Sequence, residues 1–319
     1  MNFTNRTLAL AFTALLIFFH VPAFAQKWPD RGISILIGVG PGGNIDLLSR
    51  ALATRLQDRL GVPVIIKNRP GGNGLVALDD LARSEPNGYT FSALGVSALL
   101  IATQMQEIKT SREDLDFVAG WVVQRYGMAV RSDSPFQTVE DLVNASKSSG
   151  GLFFGVSSAV HSLIIYEFAA GSGAKIDLVN YKSAPEVMNG LLGGQIMGAV
   201  LNPSDIVPHV TSGKLRFLAA GGPGRWPEYP NVPTFTQMGY DVKSASTFTG
   251  IGAPKGVPAD VMKRMESEIS AAVKDKEFQA AINKLGAETV FMSGEDYKAY
   301  INKNRSYFGG LVRSAGLGK

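Results

Sequence analysis

From Ile33 onward, apolar runs alternate with amphipathic ones. "ISILIGV" (33–39) precedes a stretch that sets Leu47, Leu48, Ala51, Leu52 and Leu56 on one helical face. "VPVIIKN" precedes "GLVALDDLARS", and "YTFSAL" follows the turn "PNGYT". This βαβα order predicts parallel strands covered by helices. A second series opens after "GMAVRSDSPFQT". Its strand-like runs are "LFFGV" (152–156), "DLVNY" (177–181), "IMGAVL" (196–201) and "LRFLAA" (215–220), with helical spacing at 162–170 and 185–192. "GGPGRWPEYPNVPTFTQMGYD" then reads as an extended Pro/Gly loop. From "GVPADVMKRMESEISAAVKDKEF" onward the spacing is strongly helical.

These patterns predict an α/β protein of two lobes, each a mainly parallel sheet flanked by helices. The helical tail is expected to return to the first lobe. Crossings near Gln124–Tyr126 and Thr247–Gly250 assign residues 26–124 plus 250–319 to lobe 1 and 125–249 to lobe 2.

The first residues carry a different pattern. Arg6 is followed by an apolar core from Leu8 to Phe19 and by Ala23-Phe24-Ala25, an A-x-A cleavage signal. The run is shorter than the roughly 20 residues that span a bilayer. A cleaved signal peptide at 1–25 is therefore expected, with the mature chain starting near Gln26 in the periplasm. The 319-residue chain contains no cysteine. Thiolate metal sites and thiol nucleophiles are thereby excluded. Of the three histidines, His20 leaves with the signal, so His161 and His209 remain. That is too few for a His-rich metal site, although an all-carboxylate Ca²⁺ site stays open. Net charge is +4, but Lys and Arg are scattered, so nucleic acid is not an expected partner.

Within "ILIGVGPGGNID", Gly38, Gly40 and Gly43 match G-x-G-x-x-G, where a strand runs into a helix. Such a turn suits an anion, because free N–H groups and the helix dipole point out of it. Gly42 and Gly43 are candidate donors and Asn44 a candidate N-cap, while Asp46 fits a dipole-stabilising place in the first turn. A similar unit, "LFFGVSSAVHSLII", presents Ser157, Ser158 and His161. If the two units correspond, two helix N-termini face one cleft. His209, in "DIVPHVTSG", reads as a helix-end residue. A dinucleotide turn calls for an acid about 20 residues on. The chain has Lys67-Asn68-Arg69 there, and an exported chain meets few nucleotides. "GVSAL" (95–99) lacks the final glycine of a nucleophile elbow. With no convincing triad, enzyme activity is not expected.

Seven segments in order carry a resemblance. They are Gly42-Gly43-x-x-Asp46-x-x-x-Arg50, "NRPGGNG" (68–74), "PNGYT" (86–90), "NYKSAPEVMNGLLGGQ" (180–195), "SGKLRFLA" (212–219), "YPNVPT" (229–234) and "GIGAPKGVP" (250–258). With them, the whole mature chain resembles the extracytoplasmic solute receptors of tripartite tricarboxylate transporters, the Bug family. The resemblance implies a two-lobed periplasmic-binding-protein fold of the Venus flytrap, type II-like kind. It also implies capture of a small organic carboxylate, mono- or dicarboxylate, without a cofactor, and delivery to a permease of large and small membrane subunits. The receptor is expected to be a monomer. Backbone N–H groups at Gly40, Pro41-flanked Gly42, Gly43 and Asn44 are implied to hold the acid, with Asp46 close by. The second-lobe turn falls on Gly155, Ser157, Ser158 and His161, and Val96, Ser97, Asn202 and Ser204 are further candidates at strand ends. Three departures put transfer of any relative's ligand in doubt: Ser157 stands at a glycine position, Asn180 and Ser183 flank Tyr181-Lys182, and Met197 replaces a common Asp. A sensor presenting its ligand to a signalling protein, and an exported hydrolase acting through Ser97 or Ser157, are the alternatives.

Overall fold

The computed structural model describes residues 28–106, 110, 112–222 and 224–318. The expected signal peptide lies outside the described residues.

Strands β1 (Ile33–Ile37), β2 (Val64–Asn68) and β3 (Thr90–Gly95) pair in parallel, with β1 in the middle. Helices α1 (Asn44–Leu60) and α2 (Leu75–Ala82) form their crossovers. Leu48, Leu52 and Leu56 of α1 are completely buried against Ile33, Ile35 and Ile37. Leu47, on the flank of the same stripe, stays 37% exposed. Each fully buried leucine contributes roughly 1.5–3 kcal/mol through area removed from water. After β3, a π-type helix (Ser97–Ala102) leads on towards β4 (Leu115–Arg125).

One residue, Tyr126, separates β4 from β5 (Gly127–Arg131), which belongs to another sheet. That sheet is completed by β6 (Leu152–Val156), β7 (Ile176–Asn180), β8 (Gly198–Leu201) and β9 (Leu215–Ala220), in the order β7-β6-β8-β5-β9. Its helices are α3 (Val139–Ser148), α4 (Ala159–Ser172), α5 (Ala184–Leu192) and α6 (Pro203–Thr211). The return strand β10 (Ser246–Pro254) inserts between β3 and β4 in the first sheet, antiparallel to both. Then follow α7 (Ala259–Lys274), α8 (Lys276–Lys284), β11 (Glu288–Ser293) and α9 (Gly294–Ser314).

Both sheets are thus mixed, where the periodicity predicts mainly parallel ones. The βα units are parallel as expected. The antiparallel pairs arise at the crossings: β4 leaves the first lobe and β10 comes back beside it, so the two run in opposite directions. β11 interrupts the expected all-helical tail. It is a half-exposed edge strand whose register against β4 breaks between Thr289 and Met292. In the run "IMGAVL" the strand begins at Gly198, where a Cβ would stand 2.4 Å from the outer end of the Phe154 ring.

Candidate functional site

Between the two sheets lies a cleft of about 690 Å³, within the range of small-molecule sites. The N-terminal ends of four helices line it: α1 from lobe 1, and α4, α5 and α6 from lobe 2. Their capping differs, and the difference decides what each offers a solute.

At α1 the N-cap is Gly43, not Asn44, and a glycine has no side chain to cap with. The first intrahelical bond runs from Leu47 N–H to the Gly43 carbonyl at 3.1 Å. Asn44, Ile45 and Asp46 therefore keep N–H groups that the helix itself does not satisfy. The turn is held from beneath. The Asp46 carboxylate accepts from the Gly42 N–H (2.9 Å), from Arg50 Nε (3.0 Å) and from Asn68 Nδ2 (3.0 Å), and it pairs with Arg50 Nη2 at 2.9 Å. Asn68 Nδ2 also donates to the Val39 carbonyl at 3.0 Å. Burial works against ionisation of Asp46. Hydrogen bonds from Arg50, Gly42 and Asn68 outweigh it and hold the carboxyl below the ordinary carboxylate range. Gly42 sits at φ +81°, a conformation that other residues rarely adopt. The loop 70–74 packs so closely that a Cβ on Gly38 would stand 2.5 Å from the Gly74 Cα.

In lobe 2, α4 is capped by its own Ser158, whose Oγ accepts from the His161 N–H at 3.4 Å. His161 is buried, its Nδ1 lies 3.4 Å from Ser157 Oγ, and its ring meets Tyr126 edge-on at 5.5 Å. Burial pulls its pKa down to about 4, so the imidazole is neutral at pH 7. A long contact and a weak base make Ser157–His161 a poor nucleophile pair. α5 is capped by Ser183 Oγ, which accepts from Glu186 N–H. α6 has no side-chain cap, because its N-cap residue Asn202 turns Nδ2 to the Arg125 carbonyl at 3.2 Å. Asp205, in the first turn of α6, faces the cleft, and burial raises its carboxyl pKa to about 6.

The floor is built at the crossing strands. Tyr126 donates to Gln124 Oε1 (3.1 Å) and lies 3.4 Å from Thr247 Oγ1, while Gln124 Nε2 donates to Thr249 Oγ1 at 2.9 Å. Burial pushes the Tyr126 hydroxyl up to about 12. The lobes also touch at one rim, where Asn44 Nδ2 donates to both Ser204 Oγ (3.0 Å) and the Leu285 carbonyl (3.1 Å).

Of the residues the sequence singles out, Gly40, Pro41, Gly42, Gly43, Asn44, Val96, Ser97, Ser157, Ser158, His161 and Asn202 line the cleft. Asp46, Gly155 and Ser204 do not. Asp46 sits beneath the first turn, Gly155 under Ile196 and Val187, and Ser204 at the rim contact with Asn44. His209 falls in the last turn of α6, as its sequence context suggests. Sequence reasoning missed Gln124, Tyr126, Thr247, Thr249, Asn73, Lys182 and Asp205, all of which line the cleft. A signal for the floor was present: polar Gln124, Thr247 and Thr249 interrupt apolar strands at the predicted crossings.

Two helix-flanked mixed sheets enclose a cleft in which open helix N-termini and polar side chains stand among apolar ones, the architecture of the periplasmic binding proteins this chain superposes on. The profile of the tripartite tricarboxylate transporter family receptor matches residues 48–317, and the chain belongs to that family. It is 28% identical over 323 residues to the UPF0065 protein in the gbd 5′ region of Cupriavidus necator, covering all of this chain and 98% of the relative. It is 27% identical over 322 residues to Protein BugT of Bordetella pertussis, covering 99% of each. Among solved structures, a periplasmic transporter superposes with a TM-score of 0.84 at 26% identity, covering 91% of this chain and 99% of that one. The periplasmic binding protein BugD does so at 0.80 and 24% identity, covering 92% and 100%. The chain is a solute-binding receptor of the Bug kind and not an enzyme. Among the described residues, no helix is long and apolar enough to cross a membrane.

Proposed function

We propose that this receptor captures a small organic mono- or dicarboxylate between a first lobe (26–124 plus 250–319) and a second (125–249), acting as a monomer. It is exported by a cleaved signal at 1–25 and hands its solute to the large and small subunits of a tripartite tricarboxylate permease. One observation carries the reading: α1 opens on the cleft with no side-chain cap and with its first-turn N–H groups unmatched by the helix. Charge-assisted hydrogen bonds to such donors contribute about 1.5–3 kcal/mol each. Three, offset by ordering, support roughly micromolar binding, which needs about −8 kcal/mol. Two chains of the same fold are described with adipate and with malate bound. Their likeness to this chain extends to the fold alone, and they serve as examples of what such a cleft accommodates. Lys182, a cation lining the second-lobe side, suits a second acid group.

The test is thermal unfolding of the chain from Gln26 against aliphatic mono-, di- and tricarboxylates, aromatic acids and acidic amino acids, with NADPH as control. A solute at 100 times its Kd adds about 2.7 kcal/mol. The midpoint should rise by several degrees, at roughly 2–4 °C per kcal/mol. A shift with an acid class and none with NADPH supports the reading. A shift with NADPH alone overturns it.

A further inference from the structure

The rim contact between the lobes is built wholly from the chain's own groups. Asn44 Nδ2 donates across to Ser204 Oγ at 3.0 Å, and its second hydrogen, given to the Leu285 carbonyl at 3.1 Å, fixes the amide on the first lobe. Beside it, buried Pro203 of the second lobe is seated on buried Gly286 of the first. A Cβ on Gly286 would stand 2.1 Å from the Pro203 Cβ, and a φ of +73° is a second demand for glycine there. Arg125, the last residue of β4, closes the corner from behind. Its Nε donates to the Gly286 carbonyl at 3.2 Å and its Nη2 to Glu228 at 3.5 Å, while its guanidinium lies over the Trp226 ring.

This corner adjoins the crossing: Asn202 Nδ2 holds the Arg125 carbonyl, and β8, which leads into Asn202, pairs with β5. The edge strands β2 and β7 stand furthest from the crossing in their sheets, and beyond their ends lie the 70–74 loop and Lys182. Among the described residues, no hydrogen bond or ion pair joins those two ends. We propose that the Asn44–Ser204 and Gly286–Pro203 corner is a clasp. It keeps the lobes joined beside the crossing independently of the solute, so the cleft opens only at the β2/β7 mouth, where the solute enters and leaves. The clasp is finely balanced. Asn44 Oδ1 is buried without a hydrogen-bond partner while it is shut, and an unmade bond at a buried acceptor opposes the contact. Water reaching that oxygen favours opening, so a single change on either lobe should shift the balance.

Because the chain has no cysteine, spin labels can be confined to chosen positions. One pair, Asn283→Cys with Ser212→Cys, sits on α8 and at the end of α6, the helices that meet at the clasp. The other, Lys67→Cys with Asn189→Cys, sits on β2 and α5 beside the mouth. All four positions are exposed and none lines the cleft. Distances are read by pulsed dipolar spectroscopy on the chain from Gln26, refolded from denaturant and dialysed so that no solute is carried over. The same pairs are then read in Ser204→Ala, which deletes the cross-lobe acceptor, and in Gly286→Ala, which drives a methyl into Pro203. Melting curves confirm that each variant folds. The clasp pair should give one narrow distribution, and the mouth pair one at least about twice as wide. At least one variant should add a longer-distance population to the clasp pair. A clasp pair as broad as the mouth pair overturns the proposal. So does a clasp pair that neither variant moves, because nearness to the crossing would then suffice to hold the corner. The carboxylate reading is independent of either result and is tested by the thermal panel.

Discussion

The two βα turns that face each other across the cleft begin alike, as an apolar strand, Gly-Val and small residues, and end in opposite states. At α1 the cap is a glycine, the supporting side chain is an ionised carboxylate beneath the turn, and the outward N–H groups are open. At α4 the cap is Ser158, the supporting side chain is a neutral histidine, and one N–H is already answered by the cap. A helix terminus can complete itself or leave itself for a ligand. Asp46 lets α1 stay open, because it stabilises the turn from behind without occupying its mouth. On this reading the first lobe holds the acid generically, while the second lobe and the floor choose among acids.

The largest effect that separates the turns is in their response to acid. Between pH 6.5 and about 4, the unfolded chain protonates His161 while the folded one does not. The unfolded state therefore binds more protons, and stability falls as pH drops through that window, then levels off. The expected loss from this one group is on the order of 3 kcal/mol at 1.36 kcal/mol per pH unit. Asp205 works in the other direction: its raised pKa means that the folded state protonates first, which adds stability as pH falls below about 6. The two effects nearly offset each other, so in denaturant unfolding from pH 7.5 to 4 His161→Gln should gain stability towards acid relative to the unaltered chain, and Asp205→Asn should lose it. Asp46, whose pKa is lowered, should matter only below the ordinary carboxylate range. If the pH dependence of His161→Gln matches that of the unaltered chain, the two turns do not differ as described.

A smaller effect isolates the open N–H groups. Asn44 is the first helical residue and Gly43 before it is extended, at φ −72° and ψ 163°, which is where a proline fits. Asn44→Pro removes both the N–H and the side chain, whereas Asn44→Ala removes the side chain alone. The proline variant should bind the best acid of the panel about 10- to 100-fold more weakly than the alanine variant, corresponding to one charge-assisted hydrogen bond. Equal affinities would mean that the acid does not rest on α1.

Much of this was legible in the chain, and the remainder has physical reasons for being hidden. Strand, glycines and helix are local, so the β1–α1 turn follows from spacing alone. The position of its cap does not, because a glycine N-cap carries no side-chain mark and Asn44 looks like the better candidate. Asn68, where a nucleotide site wants an acid, instead braces Val39 and Asp46 through a contact that only the parallel pairing of β1 with β2 creates. The floor needs the register of β4 against β10, which brings Gln124 to Thr249 across 125 residues. Asp205 reads in sequence as an ordinary first-turn acid, and its significance depends on which way α6 points.

The least of these effects asks whether closing α4 has a cost at all. Ser158→Ala deletes the cap oxygen and leaves the His161 N–H without its acceptor. Such a loss typically destabilises by about 1 kcal/mol, or roughly 2–4 °C in Tm for a protein of this size. The same change adds a third uncapped N-terminus at the cleft, beside those of α1 and α6. If the division of labour between the lobes is right, affinity for the best acid should then stay within about threefold, since the acid is already seated on α1 and α4 contributes packing. A loss of affinity far beyond that, with stability little changed, would show that Ser158 itself touches the solute and that the second turn is a binding turn like the first.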